Sequence, residues 1–156
     1  MDALRWDYYR EIGYDEEEAG RIKNDQGFAG LYRYWKPFEA HAVERLLAQT
    51  RGSIIDLGGG HSVFEDDLLF IRVQRAMRAG GVVVLLLPSP DLDESVQILR
   101  QGRWDGLAGE FDIHAHFVKH PSNHRLARFV VYTKGKTPAQ TRDEIISLVA
   151  GEQTPA

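Results

Sequence analysis

The sequence predicts an α/β fold, a three-layer arrangement with a parallel sheet covered by helices on both faces. Three observations carry this expectation. Three short apolar runs, residues 53–57, 82–87 and 128–133, hold the aliphatic and β-branched residues that suit strands. Longer stretches with apolar residues at helical spacing lie between them. The run 82–87 is apolar at every position, the pattern of a parallel strand buried on both faces. Strands alternating with helices in this way build parallel sheets.

Each element follows from its residues. Residues 4–23 carry Trp6, Tyr9, Ile12 and Ile22 among many charges. They read as helical turns, broken near Gly13 and restarted at Asp15, where the acidic run to Glu18 suits the free N–H groups of a helix start. Gly27 and Gly30 mark a loop. A helix from Pro37 to about Gln49 places Phe38, Ala42, Leu46 and Leu47 at helical spacing, with proline tolerated in the first turn. Strand 53–57 runs into the triple glycine Gly58, Gly59 and Gly60. The segment 65–79 is an amphipathic helix (Leu68, Leu69, Ile71, Val73, Met77) stopped by Gly80 and Gly81. Strand 82–87 ends at Pro88. Residues 91–101 form a helix carrying Leu92, Val96, Ile98 and Leu99, followed by a glycine-rich loop over 102–110. A helix over 111–119 stops before Pro121, and a short one spans 122–127. Strand 128–133 precedes a last helix over 138–149. Thr137 at the N-cap, Pro138 at the first position and Gln140 at the third form a capping box for it. Residues 1–150 read as a single domain with a frayed tail over 151–156.

Composition narrows the function classes. At 156 residues and 43% hydrophobic, the chain can bury a sizeable core. A formal charge of −4 provides no basic field for nucleic acid. Cysteine is absent, which removes disulfides and thiolate chemistry and fits a reducing cytoplasm. The N-terminus lacks the basic, apolar and small-residue order of a secretion signal, and the run 82–87 is far too short to span a bilayer. A cytoplasmic protein without membrane or nucleic-acid partners is expected.

The order and spacing of 53–60, 81–88 and 128–133, with a helix from Thr137, resembles the shikimate kinase branch of small-molecule P-loop kinases. The resemblance implies a P-loop nucleoside-kinase-like fold truncated at the N-terminus, because the family opens with a strand, a G-x-x-x-x-G-K-[ST] loop and a helix. It implies an ATP- and Mg2+-dependent phosphotransferase acting on a small hydroxylated metabolite, inactive in this form without the loop that cradles phosphate. Either Met1 is not the true start, or strands 53–57 and 82–87 close on each other, or a homodimer or partner chain covers the exposed sheet edges. Carried over by position, Arg33, Lys36, Gly58, Gly59 and Gly60 would hold substrate, and Asp56 would support a magnesium-bound water. Lys119 would balance phosphate charge, and Lys134, Gly135 and Lys136 would lie near the nucleotide. Lys36 and Lys119 stand where the family has arginine, so they keep the charge and lose the bidentate fork. The family's acidic residue after its second strand falls at Asp2 or Asp7. Two alternatives stand beside this reading. One is a non-catalytic pseudokinase that binds or interacts through the same pocket. The other is an enzyme repurposed to chemistry without phosphate, centred on His61 or on a histidine group.

Other constellations carry competing readings. Gly135-Lys136-Thr137 resembles the end of a phosphate loop, but the first glycine of that motif would fall on Val130, inside a strand, so a turn and helix cap fit better. His114, His116, His120 and His124 include a spacing of four, which suits a metal on one helix face. Pro121 interrupts that register, so no metal is assigned. His61 follows the glycines and could serve as an acid–base group or stand as a loop histidine. Asp91, Asp93 and Glu94 read as compensation of a helix dipole. Tyr32, Tyr34, Trp35 and Phe38 form an aromatic patch that suits either a stacked planar ligand or core packing.

Overall fold

The computed structural model describes residues 4–102, 107–108 and 111–152. In chain order the elements are α1 (Arg5–Glu11), α2 (Glu16–Gln49), a 3-10 turn (Gly60–Ser62), α3 (Asp67–Gly80), β1 (Val84–Leu87) and α4 (Leu92–Arg100). They continue with β2 (Leu107–Ala108), β3 (Phe111–Asp112), α5 (Ile113–Lys119), α6 (Pro121–Leu126), β4 (Phe129–Tyr132) and α7 (Pro138–Glu152). The described chain is mostly helical. Its strands form one parallel pair, β1 with β4, and one antiparallel pair, β2 with β3. This corrects the expected three-layer α/β fold and its P-loop kinase-like architecture. Two of the three expected strands form, and residues 53–57 are not a strand. A strand is held by its neighbours, and this segment lies between Gly52 in left-handed backbone (φ 65°) and a turn in which Asp56 Oδ1 accepts the Gly58 N–H.

Two compact units divide these elements. The first contains α1, α2, α3 and the β2–β3 pair. Tyr8 and Tyr9 of α1 pack against Phe38, Ala42 and Leu46 of α2, and Trp6, Tyr14, Tyr34, Trp35 and Ile55 close around them. Most of the aromatic patch is therefore core packing, while Tyr32 packs against Phe28 and Phe111. Asp15 caps α2, its carboxylate accepting from the Glu17 and Glu18 N–H groups.

The expected loop over Gly27 and Gly30 reduces to a single break at Gly27 (φ 66°, ψ −164°). Gly30 is helical and buried, and a Cβ there would lie 2.4 Å from Gln26 Cβ. Pro37 lies inside α2 rather than at its start. Its missing N–H costs the Arg33 carbonyl its helical donor, but the buried face from Leu31 to Leu46 holds the helix through it. α3 matches its pattern: Asp66 caps it, Phe70, Val73 and Met77 are buried, and Gly81 ends it.

In the second unit β1 and β4 pair in register from Val84 opposite Phe129 to Leu87 opposite Tyr132. Leu87, Val96 and Val118 form its core, joined by Leu85, Leu92, Leu99, Ala115 and Val130. Asp91 caps α4 through the Asp93 and Glu94 N–H groups. The helix expected from residue 111 starts at Ile113, because Phe111 and Asp112 pair as β3. The capping box of α7 forms: Thr137 Oγ1 accepts the Gln140 N–H, and Gln140 Oε1 accepts the Thr137 N–H. Most of the expected glycine loop over 102–110, Asp2 and most of the 151–156 tail lie outside the described residues. Among the described residues no helix is long and apolar enough to cross a membrane.

Candidate functional site

The most concentrated polar chemistry in the first unit lies between α2 and the 3-10 turn. Residues 32, 36 and 39 fall on one face of α2 because three and four residues make about one helical turn. Lys36 Nζ donates to the carbonyls of Gly60 (2.9 Å) and Val63 (3.1 Å). It also lies 2.5 Å from Glu39 Oε2 and 3.9 Å from the centre of the Tyr32 ring. The ammonium is thus held by two carbonyls, a carboxylate and an aromatic face. Lys36 and Glu39 are each only 5% exposed. The Lys36–Glu39 contact is a close ion pair lying off the hydrogen-bonding direction, so Glu39 Oε2 is a buried acceptor without an aligned donor.

Burial dominates the electrostatics. It pushes the Lys36 ammonium below the ordinary lysine range, and the Glu39 charge only partly restores it. It pushes the Glu39 carboxyl up, against the pull of Lys36 and Arg5. Burial, with the negative charges of Glu65 and Glu39 nearby, drives the Tyr32 hydroxyl far above its ordinary value, so it remains a donor and reaches Glu65 Oε1 at 3.1 Å. His61 is buried beside Gly60, and its Nε2 lies 3.4 Å from the Tyr9 hydroxyl.

The glycines of this turn answer different demands. Gly58 adopts left-handed backbone (φ 65°) with open space where a side chain would start. Gly60 has no such backbone, but a Cβ there would lie 2.9 Å from Glu39 Oε1.

Of the residues assigned from the sequence, Lys36, Gly60 and His61 fall into this one neighbourhood. Gly58 and Gly59 lead into it, and Asp56 holds the turn before them. Arg33 does not join the cluster; it is exposed and donates to Gln26 Oε1. Asp7, the other acidic candidate, pairs with Arg10 on the surface.

The remaining candidates lie in the second unit. Lys119 pairs with Asp93 at 2.5 Å, Lys134 with Glu94 and Lys136 with Glu144. Gly135 is a left-handed turn residue (φ 76°) before the α7 cap. His120 caps α6, its Nδ1 accepting the Ser122 N–H, and its ring lies 5.4 Å from that of His116. Among the described residues no group of three or more histidine, aspartate or glutamate side chains is placed to hold a metal.

Glu39, Tyr32, Glu65 and Tyr9 complete the cluster; of these only Tyr32 was selected from the sequence, as part of the aromatic patch. The i, i+3 spacing of Lys36 and Glu39 was the available signal, because opposite charges one turn apart on a helix pair readily. In comparisons, no family model, curated protein or solved structure matches the chain.

Proposed function

We propose that this chain is a non-catalytic binding module whose recognition element is the turn from Asp56 to Gly60. A small hydroxylated molecule is the ligand class. The Asp56 carboxylate accepts hydroxyl groups, and the open face of Gly58 allows close approach. Lys36 acts here as a positioning residue that fixes the Gly60 carbonyl from inside.

One observation carries the non-catalytic part. Lys36, which the phosphotransferase reading places at the substrate, is buried and held by the Gly60 and Val63 carbonyls and the Glu39 carboxylate. Phosphoryl transfer depends on cations positioned on the reacting groups, and this one is turned inward. The phosphotransferase using ATP and Mg2+ rests on the resemblance to small-molecule kinases alone. A cytoplasmic setting goes with the proposal and agrees with the cysteine-free sequence.

Backbone amide NMR titration tests the reading with two probes, shikimate as a hydroxylated acid and ATP with Mg2+. The expected result is a set of shifts confined to residues 56–60 with shikimate and none with ATP. ATP binding tighter than about 100 μM, roughly −5.5 kcal/mol, would favour the phosphotransferase instead. Silence at residues 56–60 with shikimate and with a wider panel of polyols would remove the binding turn.

A further inference from the structure

Within the first unit, α3 packs on α2 and buries Phe70, Val73 and Met77. Its opposite face is uncovered. With 3.6 residues per turn, Asp67, Leu68, Ile71, Arg75 and Arg78 fall within about 100° of one another around the helix axis. Leu68 is 74% exposed and Ile71 47%. Asp67, Arg75 and Arg78 are exposed as well. Arg72, on the flank of this face, is held bidentate by Glu44. Asp67, Arg75 and Arg78, by contrast, have no ion-pair or hydrogen-bonded side-chain partner among the described residues.

The order of residues along this face is acidic, then apolar, then basic. Beyond Leu68, the residues Ile71, Gln74, Arg75 and Arg78 line a shallow groove of about 240 Å³, room enough for an aliphatic side chain. A face with this order is its own complement when a second copy runs antiparallel, because the acidic end of each then meets the basic end of the other. The register follows from the groove. Seating Leu68 against position 74 of the partner sets residue 71 opposite residue 71, and residue 67 opposite residue 75.

We propose that α3 is a self-association surface. Two copies pack their α3 helices antiparallel about a two-fold axis at Ile71, each Leu68 seated in the other's groove and each Asp67 paired with the other's Arg75. A second copy is the occupant because the one face supplies both the knob and the groove, and both signs of charge. An anionic lipid surface fits less well, since Asp67 would press against the headgroups beside Leu68. One helix face offers far fewer residues than the roughly 20–30 a side of a standard interface, so the dimer is weak and concentration-dependent.

Charge reversal tests the register. Sedimentation of the full chain at low salt should show the mass rising toward twice the monomer between about 10 μM and 1 mM. Asp67→Lys and Arg75→Glu, each checked for folding by circular dichroism, put like charges across the axis, and each should weaken the dimer at least about tenfold. Mixing the two variants restores both opposite-charge pairs, so the mixture should dimerise where neither variant alone does. The absence of cysteine allows a second measurement. Ile71→Cys should link to itself under oxidised glutathione. Arg78→Cys should not, because its two copies lie roughly 20 Å apart along the antiparallel pair. A monomer up to about 1 mM, a dimer indifferent to both reversals, or a mixture that stays monomeric would each overturn the proposal. So would a chain that remains monomeric but sediments with phosphatidylglycerol vesicles, which would make the face a lipid contact.

Discussion

Lysines of this chain meet carboxylates in two contrasting settings. In the first unit Lys36 meets Glu39 out of reach of water, with two carbonyls and an aromatic ring completing the shell. In the second unit Lys119, Lys134 and Lys136 meet their carboxylates at the surface. The contacts are equally short, yet their weights differ. Solvent screens the surface pairs and their long side chains lose entropy on pairing, so little net stability remains. The buried pair has lost its hydration, and each partner depends on the other. Distance alone therefore says little about which ion pair the fold needs.

The largest expected effect breaks the buried pair on one side. Glu39→Ala leaves the Lys36 ammonium buried without its carboxylate, and the expected loss is about 3–5 kcal/mol in urea unfolding. A loss below about 1 kcal/mol would mean that water reaches Lys36 and the contrast fails. Replacing both partners, Lys36→Met with Glu39→Leu, should recover that loss and reach or exceed the parent by up to about 1–4 kcal/mol, because neither charge then has to be desolvated.

The pH profile of that double replacement sharpens the comparison. Glu39 holds its proton more tightly folded than unfolded. Its contribution is therefore fully present below the unfolded value and is lost as pH rises through the folded one. Lys36 holds its proton less tightly when folded. The cost of its charge is full below the folded value and disappears as pH rises past the unfolded one. The advantage of the double variant should be greatest between the two folded values and narrow toward acid and alkali. Unfolding measured across about pH 4 to 10 covers both flanks. Asp93 and Glu94 behave oppositely to Glu39: their lysine partners lower their values, so their contribution is lost as pH falls. Both proteins share that loss, and it cancels in the difference.

A smaller effect is expected at the start of α7. Thr137→Ala removes the acceptor for the Gln140 N–H and should cost about 1 kcal/mol in the same unfolding measurement. The smallest concerns the surface pairs. Lys119→Ala and Lys134→Ala should leave the melting temperature unchanged within error, and a clear drop in either would show that exposure understates their coupling.

What could be read in advance follows the range of the forces involved. The cap of α7 was legible because Thr137 acts on an amide three residues away; at α4 the acidic start reads as dipole compensation, and Asp91 is in fact its cap. Strand 82–87 was legible from its uniform apolar character and 128–133 from the Phe129 to Tyr132 run at its centre. Residues 53–57 hold Ile54, Ile55 and Leu57 without forming a strand, because pairing requires a neighbour that local sequence does not supply. Gly27 and Gly30 looked alike, yet one breaks α2 and the other lets the chain pack tightly within it. Lys36 was selected for its charge and for a resemblance to a substrate-binding position. Its actual partners, Gly60 and Val63, lie 24 and 27 residues away, beyond any local periodicity.

The triple glycine has a consequence for how the chain can change. Gly58 is constrained by backbone angle and Gly60 by the nearness of Glu39, while Gly59 has ordinary helical angles (φ −71°, ψ −37°) that any residue adopts. The two outer letters of an identical run therefore encode two unrelated requirements. Shortening Glu39 would relax the demand at 60 and leave the demand at 58 untouched, so the two outer glycines are free to drift independently.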